Sequence, residues 1–159
     1  MSGIIGVSPD MRSGVVGKFT TGQVIQVKQS KNATAISKSD TGYFDICPFV
    51  VITPKFSSSI FLVRGVVMGV YSGGTSAARL NVYLKRDTTT LNESGANWYQ
   101  SSNTLRHGGF AIEILDSPAT IAELDYKLLG AFANHSNPSY VNKDGNSGWS
   151  TLTVMEIAG

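Results

Sequence analysis

The sequence has a single cysteine, Cys47, and two histidines, His107 and His135. One cysteine excludes an internal disulfide, and its place in the apolar run 46–51 predicts a buried thiol that packs as a small hydrophobe. The two histidines lie in separate segments and outside any metal-ligand spacing. The sequence therefore predicts neither a metal site nor a bound cofactor.

Charged side chains are also scarce. Lys, Arg, Asp and Glu make up 15% of the 159 residues, against about 25% in an average soluble domain. Ser, Thr, Asn and Gly must then form most of the polar surface, which favours strands and turns over helices. The net charge is only +2 and the lysines are scattered, so no basic stripe predicts a nucleic-acid partner.

Long apolar runs and catalytic motifs are missing as well. The longest apolar run, residues 60–71, is broken by Arg64 and Gly65 and is too short to predict a transmembrane helix. No secretory signal is visible, so synthesis in a cytoplasm is expected. No nucleophile elbow, phosphate loop or dinucleotide fingerprint occurs, and we interpret the carboxylates as surface charges at strand ends. A protein without enzymatic activity is predicted. The carboxylates considered are Asp87, Glu93, Glu113, Asp116, Glu123 and Asp125.

The sequence does contain a succession of β-strand patterns. Residues 79–85 alternate strictly between apolar and polar side chains, and residues 123–132 alternate in the same way. Residues 59–71 form a Val/Ile/Phe run that predicts a central strand buried on both faces. About eight strands with turn signals between them predict an all-β fold, a single antiparallel β-sandwich of jelly-roll type over residues 18–159. The remaining strand patterns cover residues 23–29, 43–53, 110–115 and 149–157.

Residues 1–17 differ from the rest, because four glycines and a proline interrupt small apolar groups. So many helix breakers disfavour a helix. The pattern predicts an extended N-terminal arm that docks on a neighbouring subunit; an edge strand or a leader of the same domain is the alternative. The residues expected to make the contact are Ile4, Ile5, Val7, Pro9, Met11, Arg12, Val15 and Val16.

Two long polar loops are predicted at residues 94–104 and 134–148, and aromatic side chains lie in or beside them. Aromatic rings on loops can stack on sugars, which would make these residues contacts for a host receptor or surface glycan. The alternative is that they close the ends of the sandwich or pack on a neighbouring subunit. The candidates are Trp98, Tyr99, His107, Tyr140 and Trp149.

The first 19 residues, MSGIIGVSPDMRSGVVGKF, resemble the N-termini of small virion proteins of tailed phages, especially marine and cyanobacterial phages. The resemblance departs at residues 31–38 and in the two loops. Further matching segments follow in order at residues 22–29, 52–63, 86–87, 115–118, 126–127 and 152–157.

This resemblance implies a virion structural protein, most often a homotrimer, whose partners are capsid, tail or fibre subunits. It leaves two positions on the particle open. The first is a tail fibre or its tip, which would recognise a host surface. The second is a capsid-decorating or cement protein, which would lock capsid subunits together.

Overall fold

The computed structural model describes residues 19–72, 78–100, 108–133, 138–143 and 149–159, with the backbone alone at residues 72, 78 and 94–100. These residues form strands and connecting turns, and no helix occurs among them. The strands are β1 (Val24–Asn32), β2 (Ile36–Lys38), β3 (Phe44–Asp45), β4 (Val50–Ile52), β5 (Ile60–Ser72), β6 (Ala78–Arg86), β7 (Thr89–Gln100), β8 (Gly108–Asp116), β9 (Leu124–Ala133), β10 (Ser139–Val141) and β11 (Ser150–Ile157).

The strands pair into two antiparallel sheets. The first sheet has the order β1–β11–β5–β10–β2, and β8 also pairs with β5. Because β5 pairs with β11 and β8 over the same residues, it lies between them. The second sheet has the order β3–β9–β6–β7, with β4 also paired to β9. The prediction of an all-β, jelly-roll-like antiparallel sandwich is confirmed.

The core follows from strict alternation along the strands. Leu80, Val82 and Leu84 of β6 are fully buried, as the pattern predicted, and β9 and β11 alternate between buried and half-buried residues in the same way. The thiol of Cys47 is also buried, which confirms its expected packing role. Burial raises the pKa of this thiol to about 12, so it stays protonated and unreactive at neutral pH.

Strand β5 is central in its sheet, but the prediction that both of its faces are buried was wrong. Phe61, Val63 and Val67 are buried, whereas Leu62 is half-buried and Arg64 is exposed on the other face. The physical reason is that a two-layer sandwich covers only one face of each sheet.

The prediction of long loops at residues 94–104 and 134–148 was also partly wrong. Residues 94–100 continue β7, because β6 pairs with Ser94 and, after a register shift, with residues 98–100, and pairing overrides weak local β-propensity. Within the second loop, β10 pairs with β2 on one side and with Tyr71 and Ser72 of β5 on the other.

Polar side chains on β1 close one open edge of the sandwich. From residue 26 to residue 32, the side chain of every second residue donates a hydrogen bond to a backbone carbonyl of the segment 46–53, which borders the second sheet. These bonds join Gln26 to Thr53 (2.9 Å), Lys28 to Val51 (2.8 Å), Ser30 to Pro48 (2.6 Å) and Asn32 to Ile46 (2.9 Å). The inner face of β1 is therefore polar because it meets backbone rather than apolar side chains.

Candidate assembly surface

The eight residues predicted to form the N-terminal contact all lie outside the described residues, and so does His107. Trp98 and Tyr99 are described by their backbone alone. They lie in β7, where they pair with Leu80 and Arg79 of β6, and not in a loop.

The two remaining aromatic candidates lie in different clusters. Tyr140 is half-buried, and its ring centroid lies 5.7 Å from that of Tyr71. The ammonium of Lys143 lies 4.4 Å from the Tyr140 ring centroid. Trp149 is 52% exposed, with the ammonium of Lys31 4.3 Å from its ring centroid. Of the five candidates, Trp149 is the one whose described ring is open to solvent.

The outer face of the first sheet carries a surface that sequence reasoning did not single out. Val27 pairs with Met155, Met155 with Leu62, and Leu62 with Leu115. Directly opposed residues share a face of a sheet, so this apolar row crosses four strands. Val27 is 53% and Leu115 is 63% exposed.

A second apolar row lies beside the first, at the end of the sheet. Val24 pairs with Ile157, and Ile157 pairs with Ile60. The two rows together form one continuous apolar surface, which we call the outer patch. Its residues are Val24, Val27, Ile60, Leu62, Leu115, Met155 and Ile157.

A polar row borders the outer patch on its other side. Gln29 donates a hydrogen bond to Thr153 (2.7 Å), Thr153 pairs with Arg64, and Arg64 pairs with Glu113. The border thus carries one positive and one negative side chain on neighbouring strands. An apolar surface with a polar rim is typical of protein–protein contact sites.

Beneath the outer patch, on the inner face of the same sheet, lie two buried carboxylates. Gln26, Glu156, Phe61 and Asp116 oppose one another in a single row across β1, β11, β5 and β8. The prediction that Asp116 is a surface charge was wrong, because the alternation of Phe110, Ile112 and Ile114 carries it inward. The same prediction is confirmed for Asp87, Glu93, Glu113 and Glu123, which are exposed.

Asp116 joins the two sheets. Nη1 of Arg86, on β6, donates to both carboxylate oxygens of Asp116 at 2.5 and 2.6 Å. The hydroxyl of Tyr126, on β9, donates to Oδ2 at 2.7 Å. Burial raises the pKa of the Tyr126 phenol, and its hydrogen bond to Asp116 raises it further, so the hydroxyl remains a donor.

Glu156 is fully buried, and its carboxylate accepts hydrogen bonds from β1 on one side of β11 and from the segment that precedes β5 on the other. It accepts hydrogen bonds from the backbone amide of Lys55 (2.6 Å), the hydroxyl of Ser59 (2.6 Å) and the side-chain amide of Gln26. The sequence does contain a signal for this burial: Glu156 follows Leu152 and Val154 in the two-residue alternation of the strand, so its side chain is on the same, inward face. Both carboxylates accept hydrogen bonds from other strands and loops at the end of the sandwich that carries the outer patch.

Within the described part of the chain, no three His, Cys, Asp or Glu side chains lie close enough together to hold a metal ion. That part also contains no helix that is long and apolar enough to cross a membrane.

The fold is similar to that of solved structures of infectious bursal disease virus. The structure of its Gx strain superposes with a TM-score of 0.54 at 14% identity, over 99% of this chain and 38% of that chain. The crystal structure of its VP2 subviral particle gives a TM-score of 0.51 at 13% identity, over 99% of this chain and 42% of that chain. At these identities the likeness shows the fold alone, and this chain spans about two fifths of the length of those chains. No protein-family model and no curated protein sequence matches the chain.

Proposed function

We propose that this chain is a non-enzymatic structural protein of a virus particle, which assembles with other virion subunits. The observation that carries the proposal is the outer patch, whose apolar rows remain open on the finished sandwich. A contiguous apolar surface with a polar rim is typical of an interface. The similarity of the fold to structures of viral particles supports the same assignment.

The resemblance to tailed-phage proteins extends this proposal. On that basis the particle is a bacteriophage, the chain is made in the host cytoplasm, and it assembles as a homotrimer. Its place is either a tail fibre or tip, or the capsid surface as a decorating or cement protein. A sandwich with an open apolar patch suits both positions, because either one requires attachment to other subunits.

The test is the composition of purified particles. Quantitative mass spectrometry of virions from the virus that encodes this chain is expected to find it in a fixed number of copies per particle. Cryo-EM of the same particles then places the chain on head or tail. Its presence in infected-cell lysate together with its absence from purified particles would refute the proposal.

A second candidate function is host-receptor or glycan binding, which the exposure of Trp149 favours. Under this function, Trp149→Ala is expected to weaken adhesion of the protein to host cells roughly 30-fold, the cost of removing one exposed aromatic hot spot. The melting temperature is expected to change little, because the ring is 52% exposed.

The matched control for this prediction is Tyr43→Ala. Tyr43 is 60% exposed and has the ammonium of Lys85 5.0 Å from its ring centroid, but it lies beside the second sheet. Adhesion that survives Trp149→Ala, or falls equally in both variants, would count against a binding site at Trp149. A large loss of stability in Trp149→Ala would instead assign the ring to packing.

A further inference from the structure

We propose that the outer patch of one copy receives the apolar segment 4–7 of a second copy, with Ile5 and Val7 facing the patch, so that the N-terminal segment links subunits. This inference rests on the proposed structural function and names the receiving surface and its occupant.

The described chain begins beside the outer patch. The ring of Phe19 packs edge-to-face on Phe56 with centroids 6.0 Å apart. The amide of Gly22 donates to the carbonyl of Ala158 (2.7 Å), and the amide of Ala158 donates to the carbonyl of Gln23 (2.8 Å). These bonds hold residues 22 and 23, close to the start of the described chain, next to Val24 and Ile157 at the end of the sheet that carries the patch.

The size of the patch favours a short segment over a folded domain. The two apolar rows, one across four strands and one across three, cover an area of roughly 300 Å², given strand spacings of about 4.8 Å. A stable contact between folded proteins buries about 800 Å² on each partner. In an extended segment Ile5 and Val7 face the same way, and two apolar side chains with their flanking backbone match the smaller area.

The length of the segment allows it to reach the patch of a second copy. Val7 and Ile4 precede Phe19 by 12 and 15 residues, which corresponds to about 40 and 50 Å of extended chain. The patch is only about 15 Å across its four strands. A segment of this length can therefore place its apolar group on the patch of a neighbouring copy.

Charge complementarity adds to the match. The first charged residues that follow the apolar group are Asp10 and Arg12. The polar row that borders the patch holds Arg64 and Glu113. A segment crossing the patch can thus place each of its charges near a side chain of opposite sign.

Disulfide trapping in the full chain tests the proposal. One preparation carries Ile5→Cys, a second carries Leu115→Cys, and each has a tag of different length so that mixed dimers are identified on a gel. Any disulfide between the two preparations links separate copies. Cys47 does not compete, because it is buried and its thiol pKa is raised to about 12. The matched control replaces Leu115→Cys by Ile121→Cys, since Ile121 is 65% exposed and lies outside the patch.

Mixed dimers of the Ile5 and Leu115 variants are expected to form at least about tenfold faster than those of the Ile5 and Ile121 variants, because docking raises the local thiol concentration toward the millimolar range. Val27→Cys, at the opposite end of the apolar row, is expected to behave like Leu115→Cys. Equal rates for the patch and control variants would overturn the proposal. A double variant, Ile5→Cys/Leu115→Cys, tests whether the segment docks on its own chain. If its disulfide forms within one chain, at a rate that does not change on dilution, the occupant is the same chain and the proposal of a second copy is wrong. If the chain is found in purified particles while trapping fails, the docking is wrong and the structural function stands.

Discussion

The variant Arg86→Gln is expected to lower the free energy of unfolding by about 3–5 kcal/mol, the usual cost of removing one partner from a buried ion pair. Arg86 neutralises Asp116 with two short hydrogen bonds, and Asp116 is only 8% exposed. Without the guanidinium, the carboxylate keeps the hydrogen bond from the hydroxyl of Tyr126 but loses the neighbouring positive charge. Urea unfolding followed by tryptophan fluorescence measures the change, and the melting temperature is expected to fall by roughly 10 °C.

Two variants control this prediction. Lys85→Gln removes a neighbouring cation that lies over the exposed ring of Tyr43, and a loss below about 1 kcal/mol is expected. The triple variant Arg86→Met/Asp116→Leu/Tyr126→Phe replaces the whole network by apolar groups and is expected to recover much of the lost stability. A loss below about 1 kcal/mol for Arg86→Gln would show that water reaches Asp116 and that the ion pair is not an element of the core.

The sandwich could be predicted from the sequence because its signals are local. Strict alternation in β6, β9 and β11 fixes which side chains face inward, and Leu80, Leu128 and Leu152 are fully buried as that period requires. Glu156 and Asp116 obey the same period, but a carboxylate at an inward position is ordinarily assumed to be exposed. To predict that these two carboxylates are buried, the position of a residue in the two-residue alternation of its strand must be given more weight than its charge.

The outer patch could not be predicted because it depends on strand order. Val27, Leu62, Leu115 and Met155 are far apart in the sequence, and each lies on a different strand. They form a row only because β11 lies between β1 and β5, and β8 lies on the other side of β5. The extension of β7 to Gln100 has the same cause, since pairing with β6 orders residues whose own propensity indicates a loop.

The variant Glu156→Ala is expected to lower the free energy of unfolding by about 3 kcal/mol, since it leaves buried donors without an acceptor. The amide of Lys55 and the hydroxyl of Ser59 lose bonds of 2.6 Å each, and the side-chain amide of Gln26 loses a third bond. Glu113→Ala is the matched control, because Glu113 is an exposed glutamate on the opposite face of the same sheet. The control is expected to change stability by less than about 1 kcal/mol.

Hydrogen exchange separates this role of Glu156 from a general loss of stability. The amide of Lys55 donates to the Glu156 carboxylate, whereas the amides of β9 are bonded within a sheet. In Glu156→Ala, the Lys55 amide is therefore expected to lose more protection than the β9 amides do, because local opening of residues 55–59 no longer has to break these bonds. Equal loss at both places would mean that Glu156 stabilises the sandwich as a whole. A protected Lys55 amide in the variant would contradict the hydrogen bond itself.

Since residues 55–59 lie next to Ile60 and Phe19, loosening them also disturbs the end of the sheet that bears the outer patch. Glu156→Ala is thus expected to slow the mixed Ile5–Leu115 disulfide under conditions in which the domain remains folded.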